Sequence, residues 1–470
     1  MLARRSVWPT LSGSLRRRDE GLQPGQVYNF TMTSNINSEV YQQRRSRLAS
    51  AMRGGVAIVP TAPERTRNRD AHYPYRYDSY FYYLTGFREP EAVAVIVSGE
   101  QPRSILFCRD KDSEREIWDG LRYGPEAARE VFGFDEAHSI TQLDALLPGL
   151  IADRAALYCH LGADAAWDAR VTGWVNHVRG QARSGVTAPS DIRDTHALLD
   201  EMGLIKGLEE LAVMRRAAGI TAGAHRRAMR ATRPGRNECE IEAELVHEFR
   251  RHGAQAPAYT PIVASGERAC VLHYVQNDGV LKDGELLLID AGCELDGYAA
   301  DVTRTFPVNG RFSAPQREIY ELVLAAQTAA IAEVKPGNPW DAPHRAAVNV
   351  LARGMIDLKL LSGSVAEAVE TESYKKFYMH RTGHWLGLDV HDAGDYKRDK
   401  QWRALTPGMV LTVEPGCYIR PGAGVPERFA GIGVRIEDDV AVTPAGAEVL
   451  TRDAPTSAAD IEVCMGTRDG

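Results

Sequence analysis

The sequence predicts an α/β domain followed by a larger α+β domain made of two similar halves. The chain has 470 residues, which is too long for one ordinary hydrophobic core. Short apolar strands alternate with helical segments up to about residue 200, the order typical of α/β folds. Beyond that point, one strand-and-carboxylate pattern occurs twice. We therefore expect a tail at 1–34, an N-terminal domain at 35–203, a second domain at 204–455 and a C-terminal tail at 456–470.

The composition is that of a soluble globular protein, with 44% hydrophobic and 25% charged residues. A net charge of −7 gives no reason to expect a nucleic-acid partner, and no run approaches the ~20 apolar residues that a membrane span needs. The seven cysteines include no CxxC pair, which favours a reducing, cytoplasmic compartment. Cys293 and Cys417 lie near carboxylates and could ligate a soft metal, but small core cysteines are the preferred interpretation.

The first 31 residues are rich in arginine and lack the apolar stretch of a secretory signal. They are consistent with a mitochondrial transit peptide, although Asp19 and Glu20 weaken that interpretation. They are equally consistent with an upstream extension in which Met32 is the working start. The role of this tail stays open.

The N-terminal domain begins with a predicted helix, "SEVYQQRRSRLASAM". The apolar segments "GVAIVP", "EAVAVIVSG", "SILFCRD" and "ALYCH" predict strands, and helical segments separate the later ones. An aromatic-rich stretch, "AHYPYRYDSYFYYLTGF", lies between the first two strands.

The second domain opens with a long amphipathic helix, "LIKGLEELAVMRRAAGITAGAHRRAMRAT", whose apolar positions include Leu208, Leu211 and Met214. Pro234-Gly235 ends it, and a second helix, "NECEIEAELVHEFRRHG", follows. We expect the remainder to mix helices with mostly antiparallel strands.

Two carboxylates flank a predicted hairpin in "GELLLIDAGCELDGYAADVTRTF". An apolar run ends in Asp290, Asp296-Gly297 is a strong hairpin signal, and the returning strand carries Asp301. Such a hairpin can bring Asp290 and Asp301 to the same side. An aspartate at the end of an apolar strand needs a cation partner, because an isolated buried charge is costly.

The same design recurs about 120 residues later, where "MVLTVEPGCYI" repeats "LLLIDAGCEL" with Glu414 in the place of Asp290. "GVRIEDDVAVT" predicts a strand with Glu437 in its middle. Two such half-motifs indicate pseudo-twofold halves that enclose one site; the alternative is a set of unrelated surface acids. Four converging carboxylates would require about two divalent cations, and oxygen-rich ligation favours Mn²⁺, or Co²⁺, over a structural zinc site. Two metals ~3.5–4 Å apart can hold a bridging hydroxide and polarise a carbonyl.

Three histidines occur in "FYMHRTGHWLGLDVHD", and the spacing of His380 and His384 resembles that of a helical zinc site. Gly383 and Gly387 argue against a helix, because glycine costs about 1 kcal/mol relative to alanine there. The segment lacks the glutamate of HExxH and alternates like an extended chain. At most one of His380, His384 and His391 is then expected to ligate a metal.

Two stretches of the sequence resemble those of a known peptidase family. "HRTGHWLGLDVHD" resembles the signature of proline-specific peptidases of the methionine-aminopeptidase-like, or pita-bread, superfamily, and the five expected ligands occur in that family's order. "YPYRYDSYFYYLTGFREPEAV" resembles the amino-terminal domain of aminopeptidase P. The match covers about residues 37 to 455. It implies a creatinase-N, ribonuclease-H-like N-terminal domain and a pita-bread catalytic domain.

The resemblance also implies a role for each matching residue. Asp301 and Glu437 would bridge two manganese ions, Asp290 would complete the shell of one ion, and His384 with Glu414 that of the other. Glu414 would also shuttle a proton to the proline nitrogen. The side chains expected near the substrate are His273 and His391 around the scissile bond, His380, Arg435 and Tyr418 on the proline side, and Trp118, which the family can deliver to a neighbouring subunit. His380 and His391 would remain free to donate hydrogen bonds.

The implied activity is a metal-dependent exopeptidase that releases the first residue of peptides with proline at the second position, working as a homodimer or homotetramer. One departure from the family is "KGLEEL", where Gly207 replaces the serine of a frequent Ser-Pro-Glu cap and leaves the helix start uncertain. The rival functions are a prolidase that cleaves only Xaa-Pro dipeptides, a non-catalytic peptide-binding protein and a metal-free creatinase-like enzyme. The complete ligand set disfavours the last two.

Overall fold

The computed structural model describes residues 36–52, 54–422 and 424–466. The arginine-rich tail and Met32 lie outside this part of the chain. Within it, no helix is both long enough and apolar enough to cross a membrane.

The N-terminal domain alternates helices and strands, as predicted. Its helices are α1 (Ser38–Ala51), α2 (Ser79–Thr85), α3 (Ser113–Asp119), α4 (Gly124–Phe132), α5 (Leu143–Ile151), α6 (Ala165–Arg179) and α7 (His196–Leu204). Its strands are β1 (Gly55–Pro60), β2 (Thr66–Asn68), β3 (Ala71–His72), β4 (Val93–Val97), β5 (Arg103–Cys108), β6 (Glu136–Ser139), β7 (Ala156–Tyr158) and β8 (Asp191–Arg193).

Six of these strands form one mixed sheet in the order β6-β5-β4-β1-β7-β8. The β1–β4 and β4–β5 pairs are antiparallel, whereas β5–β6, β1–β7 and β7–β8 are parallel. Hydrophobic side chains on both faces of the sheet are buried, which explains the nearly continuous apolar runs of β1 and β4. The aromatic-rich stretch forms α2, which Asp78 caps by accepting from the N–H of Phe81 at 2.8 Å.

The second domain contains the remaining elements; the last of them, the helix Ala458–Gly466, falls within the predicted C-terminal tail and packs against the long helix Leu208–Ala231. Its helices are α8 (Leu208–Ala231), α9 (Glu238–Arg251), α10 (Ala314–Ala332), α11 (Ala342–Asp357), α12 (Val365–Glu370) and α13 (Ala458–Gly466). Its strands are β9 (Ala256–Pro257), β10 (Ile262–Ser265), β11 (Leu286–Asp290), β12 (Cys293–Leu295), β13 (Tyr298–Ala299), β14 (Thr303–Pro307), β15 (Lys397–Arg398), β16 (Gln401–Trp402), β17 (Val410–Val413), β18 (Gly416–Ile419), β19 (Ile432–Arg435), β20 (Asp438–Thr443) and β21 (Gly446–Val449).

The two halves of this domain have the same strand pairing. In the first half β11 pairs with β14 and β12 with β13; in the second half β17 pairs with β20 and β18 with β19, all antiparallel. Helices α8 and α9 pack together against the first half, and α10 and α11 pack together against the second. The predicted pseudo-twofold architecture and antiparallel strands are confirmed.

Helix α8 begins later than the predicted segment, at Leu208. Gly207 is its N-cap residue, and its N–H donates to the carboxylate of Glu210 at 2.8 Å. This bond supplies half of a capping box, so the helix starts without the serine of the family pattern. Leu208 itself is 80% exposed, so its predicted place on the apolar face is wrong; Met214 on the same helix is buried.

The Asp296-Gly297 turn has φ values of 50° and 83°, the two positive angles of a type I′ hairpin, as predicted. Glu437 does not lie within a strand, because the predicted strand breaks there: β19 pairs with β18, whereas β20 pairs with β17. Asp301 likewise precedes β14 instead of lying within it. Cys293 and Cys417 are fully buried, which confirms their interpretation as core residues.

Candidate metal centre and active site

The five predicted ligands lie together where the two halves of the second domain meet. Asp290 ends β11, and Asp301 lies between β13 and β14. Glu414 separates β17 from β18, and Glu437 separates β19 from β20. His384 belongs to an irregular segment that bridges to β17. Each carboxylate therefore lies where the chain passes from one strand pair to the next.

His384 faces the carboxylates through one defined ring nitrogen. Its Nε2 lies 3.4 Å from an oxygen of Asp301 and 3.9 Å from Oε1 of Glu414. Its Nδ1 donates to the carbonyl of Trp385 at 2.9 Å, which fixes the ring and leaves Nε2 for the site. Ligand atoms of Asp301, His384 and Glu437 all lie within 4.8 Å of one another. One imidazole therefore joins the carboxylates, as expected from the sequence.

Asp290 and Asp301 are joined by a half-buried tyrosine. The hydroxyl of Tyr259 lies 2.5 Å from Oδ1 of Asp290 and also within hydrogen-bond distance of Oδ1 of Asp301, so its single O–H is placed to donate to either carboxylate. The other oxygen of Asp290 accepts from the Arg435 guanidinium at 2.5 Å. Thr303 donates to Glu437 at 2.6 Å. These neighbours orient the acidic side chains from outside the cluster.

Burial sets the protonation of this cluster. It raises the pKa of Glu437 well above its ordinary value, raises that of Glu414 to about 7 and raises that of Asp290. For Asp301 burial acts in the same direction, but the hydrogen bond and charge of His384 outweigh it and lower the pKa. The same partnership overcomes burial at His384 and raises its pKa to about 9.

The donor set fits two divalent cations. Four carboxylates meet in a space whose nearby cationic groups are Arg435 and His384, so full ionisation of the four requires more positive charge than these groups provide. Carboxylate oxygens with one imidazole are ligands suited to catalytic divalent metals. The cluster has the composition of a dinuclear site.

A chain of hydrogen bonds runs from the candidate ligand Asp290 through Arg435 and Tyr418 to His380. Arg435 donates to the hydroxyl of Tyr418 at 3.0 Å, and Tyr418 lies 2.8 Å from Nε2 of His380. Nδ1 of His380 donates to the carbonyl of Arg381 at 2.7 Å. Burial, together with Arg435, lowers the pKa of His380 to about 3, so its ring is neutral. Both ring nitrogens are engaged, and the expectation that His380 is free to donate to a substrate is wrong for this conformation.

His273 and His391 are exposed at the edge of the cluster. The ring of His391 packs edge-on against that of His384, with centroids 4.3 Å apart. Burial is the main cause that lowers the pKa of both His380 and His391, and His273 lies close enough to act in the same direction. Trp118 lies elsewhere, on α3 of the N-terminal domain, and is 83% exposed. Within the described residues, no hydrogen bond or ring contact joins it to the cluster.

Sequence reasoning missed three side chains that support the ligands: Tyr259, Thr303 and Asp439. Both carboxylate oxygens of Asp439 accept from the backbone N–H of Asp301, at 3.1 and 3.2 Å. Asp439 was visible as one of the acids after Glu437, but nothing in the sequence distinguished it from a solvated turn. Tyr259 and Thr303 carried no signal, because only the fold brings them to the ligands.

A second group, His160, Asp194 and His196, also places ligand atoms within 4.8 Å of one another. Its two imidazoles stack at 3.7 Å with an interplanar angle of 13°. A metal binds near the plane of each imidazole that ligates it, and an ion in one of these planes lies well outside the other. The arrangement is that of a ring stack, which continues onto Tyr80 at 4.0 Å.

Two family models match the chain. The model of metallopeptidase family M24 matches residues 212–444, and the model of the aminopeptidase P N-terminal domain matches residues 41–158. The chain is 46% identical to the Xaa-Pro aminopeptidase of Haemophilus influenzae over 92% of this chain and 98% of that protein. The chain belongs to the Xaa-Pro aminopeptidases of family M24.

Solved structures of the family have the same fold. Aminopeptidase PepP of Pseudomonas aeruginosa is 50% identical, with a TM-score of 0.90 over 92% of this chain and 98% of that one. Zinc-substituted aminopeptidase P of Escherichia coli in complex with product is 44% identical, with the same TM-score and the same coverage. The expected α/β N-terminal domain and pita-bread catalytic domain are confirmed.

Proposed function

We propose that this Xaa-Pro aminopeptidase releases the first residue of Xaa-Pro-Yaa peptides at a dinuclear manganese centre held by Asp290, Asp301, His384, Glu414 and Glu437. The observation that supports the proposal is the convergence of these five side chains from two pseudo-symmetric halves. When bound, the two metal ions supply Lewis-acid activation of the attacking water and of the scissile carbonyl.

Glu414 is the group proposed to move the proton. Its Oε1 faces His384 at 3.9 Å, whereas its Oε2 faces His380 at 3.6 Å. One oxygen can therefore serve the metal side while the other carries a proton to the proline nitrogen, which has no hydrogen of its own. His273 and His391, both exposed beside the cluster, are proposed to donate to the scissile carbonyl and stabilise the negative charge that develops on it.

The hydrogen-bonded chain of Arg435, Tyr418 and the half-buried His380 is proposed to form the proline side of the substrate site. The aromatic ring of Tyr418 and the neutral imidazole of His380 suit the proline ring of the substrate, whose nitrogen carries no hydrogen. Trp118 is proposed to reach a neighbouring subunit in a homodimer or homotetramer, because it is 83% exposed beside Ile117, which is 80% exposed. The seven free cysteines favour a cytoplasmic location.

The proposed role of Glu414 is tested with one variant and one control. Glu414→Ala should lower kcat on an Xaa-Pro-Yaa tripeptide by roughly 1,000-fold, because the proton carrier is lost. The matched control is Glu427→Ala, which removes an exposed glutamate from the same domain and should leave kcat unchanged. A near-normal kcat for Glu414→Ala would contradict the assignment of Glu414 as the proton carrier.

Metal and substrate specificity are measured on metal-depleted enzyme. Restoration by Mn²⁺, with Co²⁺ second, is expected, and two metal ions per chain should be found by elemental analysis. Cleavage of Xaa-Pro-Yaa should exceed cleavage of the dipeptide Gly-Pro. A preference for the dipeptide would instead identify a prolidase.

A further inference from the structure

The loop that carries His391 has no regular secondary structure of its own. Residues 386–392 contain no helix or strand, although they link the ligand His384 to the proposed substrate-side His391. The N–H of Leu386 donates to Val410 on β17 at 3.1 Å, which holds the start of the loop. Since a loop lacks the hydrogen-bond ladder of a strand, other groups must fix the position of its middle.

The N-terminal domain supplies these groups from the aromatic-rich stretch. Nη2 of Arg76 donates to the carbonyl of Leu388 at 2.7 Å. The hydroxyl of Ser79 donates to the carboxylate of Asp389 at 2.7 Å, and Nη1 of Arg76 donates to the same hydroxyl at 2.7 Å. Arg76 and Ser79, together called the clamp, thus bind two consecutive residues of the loop, two and three positions before His391.

The clamp is itself rigidly held. Nε of Arg76 donates to Glu294 of β12 at 3.1 Å, and Nη1 also donates to the carbonyl of Tyr77 at 2.7 Å. A guanidinium bound along several edges is fixed in orientation as well as in position. Ser79 is 9% exposed at the start of α2, so its hydroxyl has little freedom.

The far end of the loop has a separate anchor. Nζ of Lys206 binds the carboxylate of Asp392 at 2.7 Å, and the Lys206 side chain is 1% exposed. The loop is thus held before Leu388 by the backbone bond to β17 and after His391 by the bond from Lys206 to the side chain of Asp392. The N–H of Ala299 also donates to the carbonyl of Gly387 at 2.8 Å, and the clamp adds bonds to Leu388 and Asp389 from the aromatic-rich stretch of the N-terminal domain.

We infer that Arg76 and Ser79 are positioning residues through which the N-terminal domain holds His391 in place for the substrate. The inference rests on the proposed role of His391 at the scissile bond. It gives the "YPYRYDSYFYY" stretch a function in catalysis, because the side chains of this stretch reach across the domain boundary to the active-site loop. Arg76 and Ser79 act through His391 and not on the substrate.

A double-mutant cycle tests this. Arg76→Met should lower kcat/KM on an Xaa-Pro-Yaa tripeptide by roughly 10- to 100-fold, since a displacement of about 1 Å at a catalytic group has effects of this size. In the His391→Ala background the same change should cost less than about twofold, because residues that act as a unit are not additive. Ser79→Ala should show a smaller loss with the same dependence on His391. A merely structural role would lower activity equally in both backgrounds.

Three measurements make the outcomes distinct. Metal content should match that of the unmodified enzyme, each variant should stay folded at the assay temperature although Arg76→Met loses its ion pair with Glu294, and Arg67→Met, which changes an exposed arginine of the same domain, should retain full activity. The inference alone would be overturned if the losses of both clamp variants were additive with that of His391→Ala. It would also be overturned if Arg76→Met were unimpaired while His391→Ala was impaired. Full activity of His391→Ala would overturn both the inference and the proposed role of His391. Ser79→Ala supplies the answer if Arg76→Met fails to fold.

Discussion

At the scale of single residues, burial is the largest influence on the pKa values of the candidate metal centre, and nearby charges either add to it or oppose it. Glu437, Glu414 and Asp290 are pushed toward their protonated forms by burial, while His384 keeps Asp301 ionised. This arrangement is unfavourable for an ordinary protein core and favourable for a metal site, because bound cations reverse the cost of bringing the charges together.

A buried histidine outside the metal centre makes stability depend on pH. His225 on α8 is fully buried, and its Nε2 donates to the carbonyl of Ala291 at 3.0 Å. Burial lowers the pKa of His225 to about 4 from an ordinary value of 6.5, and the neighbouring Arg304 acts in the same direction. The neutral ring is therefore favoured in the folded state. Its contribution is complete above about pH 6.5 and is lost as the pH falls toward about 4.

His225→Gln should remove this dependence, because the amide can still donate to Ala291 but does not titrate. The free energy of unfolding of the unmodified enzyme should fall by about 3 kcal/mol more than that of the variant between pH 7.5 and pH 4. Urea unfolding at several pH values measures the difference. The control is His247→Gln, at an exposed histidine of α9, which should follow the unmodified enzyme. Parallel pH profiles for His225→Gln and the unmodified enzyme would contradict the prediction.

The candidate ligands could be selected from the sequence because carboxylates that end apolar runs are conspicuous. Their supporting residues could not. Tyr259 lies 31 residues before Asp290 and 42 before Asp301, and its role depends on a contact that only tertiary structure creates. The engagement of both nitrogens of His380 also depends on Tyr418, 38 residues away.

At the scale of secondary-structure elements, the prediction that Glu437 lies in the middle of a strand was wrong, because strand pairing between distant segments is not visible in the sequence. The apolar residues on both sides of it read as one strand, but strand ends depend on partners. β19 and β20 pair with different neighbours, so the ladder breaks between them and turns Glu437 into the site. The long helices α8 and α9 were predictable, since their periodicity is local.

A single glutamate organises the loop that carries His273. Glu238 at the start of α9 is fully buried and accepts five hydrogen bonds between 2.8 and 2.9 Å. The donors are the N–H and hydroxyl of Ser265, Arg268, the hydroxyl of Tyr274 and the N–H of Gly279. These residues frame residues 265–279, so the carboxylate defines the shape of this loop.

Glu238→Ala should lower the free energy of unfolding by about 3 kcal/mol, because several buried donors lose their acceptor. It should also raise KM for Xaa-Pro-Yaa peptides, since His273 loses its fixed position. Hydrogen exchange should increase at the backbone amides of 265–279. Glu267→Ala, at an exposed glutamate within the same loop, is the control. Unchanged exchange in this loop would show that Glu238 does not organise it.

At the scale of the whole molecule, the pseudo-twofold architecture places the metal centre between two halves, and the N-terminal domain packs across the first half. Several ion pairs cross between the domains, including Arg76–Glu294 at 3.1 Å and Arg88–Asp296 at 2.7 Å. The two-domain organisation followed from length and pattern. These cross-domain pairs could not be predicted, because each joins residues about 200 positions apart.

The most buried of these connections centres on Glu210 of α8. Its carboxylate accepts from the hydroxyl of Tyr298 on β13 at 2.8 Å and lies 3.0 Å from Nη2 of Arg44 on α1. The Arg44 and Glu210 side chains are 7% and 6% exposed. The guanidinium of Arg44 also packs over the ring of Tyr83 at 4.1 Å, so it cannot move to solvent without losing that contact. One carboxylate thus joins the N-terminal domain, the first catalytic helix and the sheet beside the metal centre.

Glu210→Gln should lower the free energy of unfolding by about 3 kcal/mol, because it leaves the Arg44 charge buried without a counter-charge. Glu209→Gln is the matched control, since Glu209 is the preceding residue of the same helical turn and is exposed; surface changes of this kind usually stay within about 0.5 kcal/mol. Urea unfolding followed by tryptophan fluorescence compares the two. Because Arg44 lies on α1 and Tyr298 on β13, the loss should appear in both domains, with α1 gaining hydrogen exchange along with β13. If Glu210→Gln unfolds at the same urea concentration as Glu209→Gln, the buried pair does not hold the domains together.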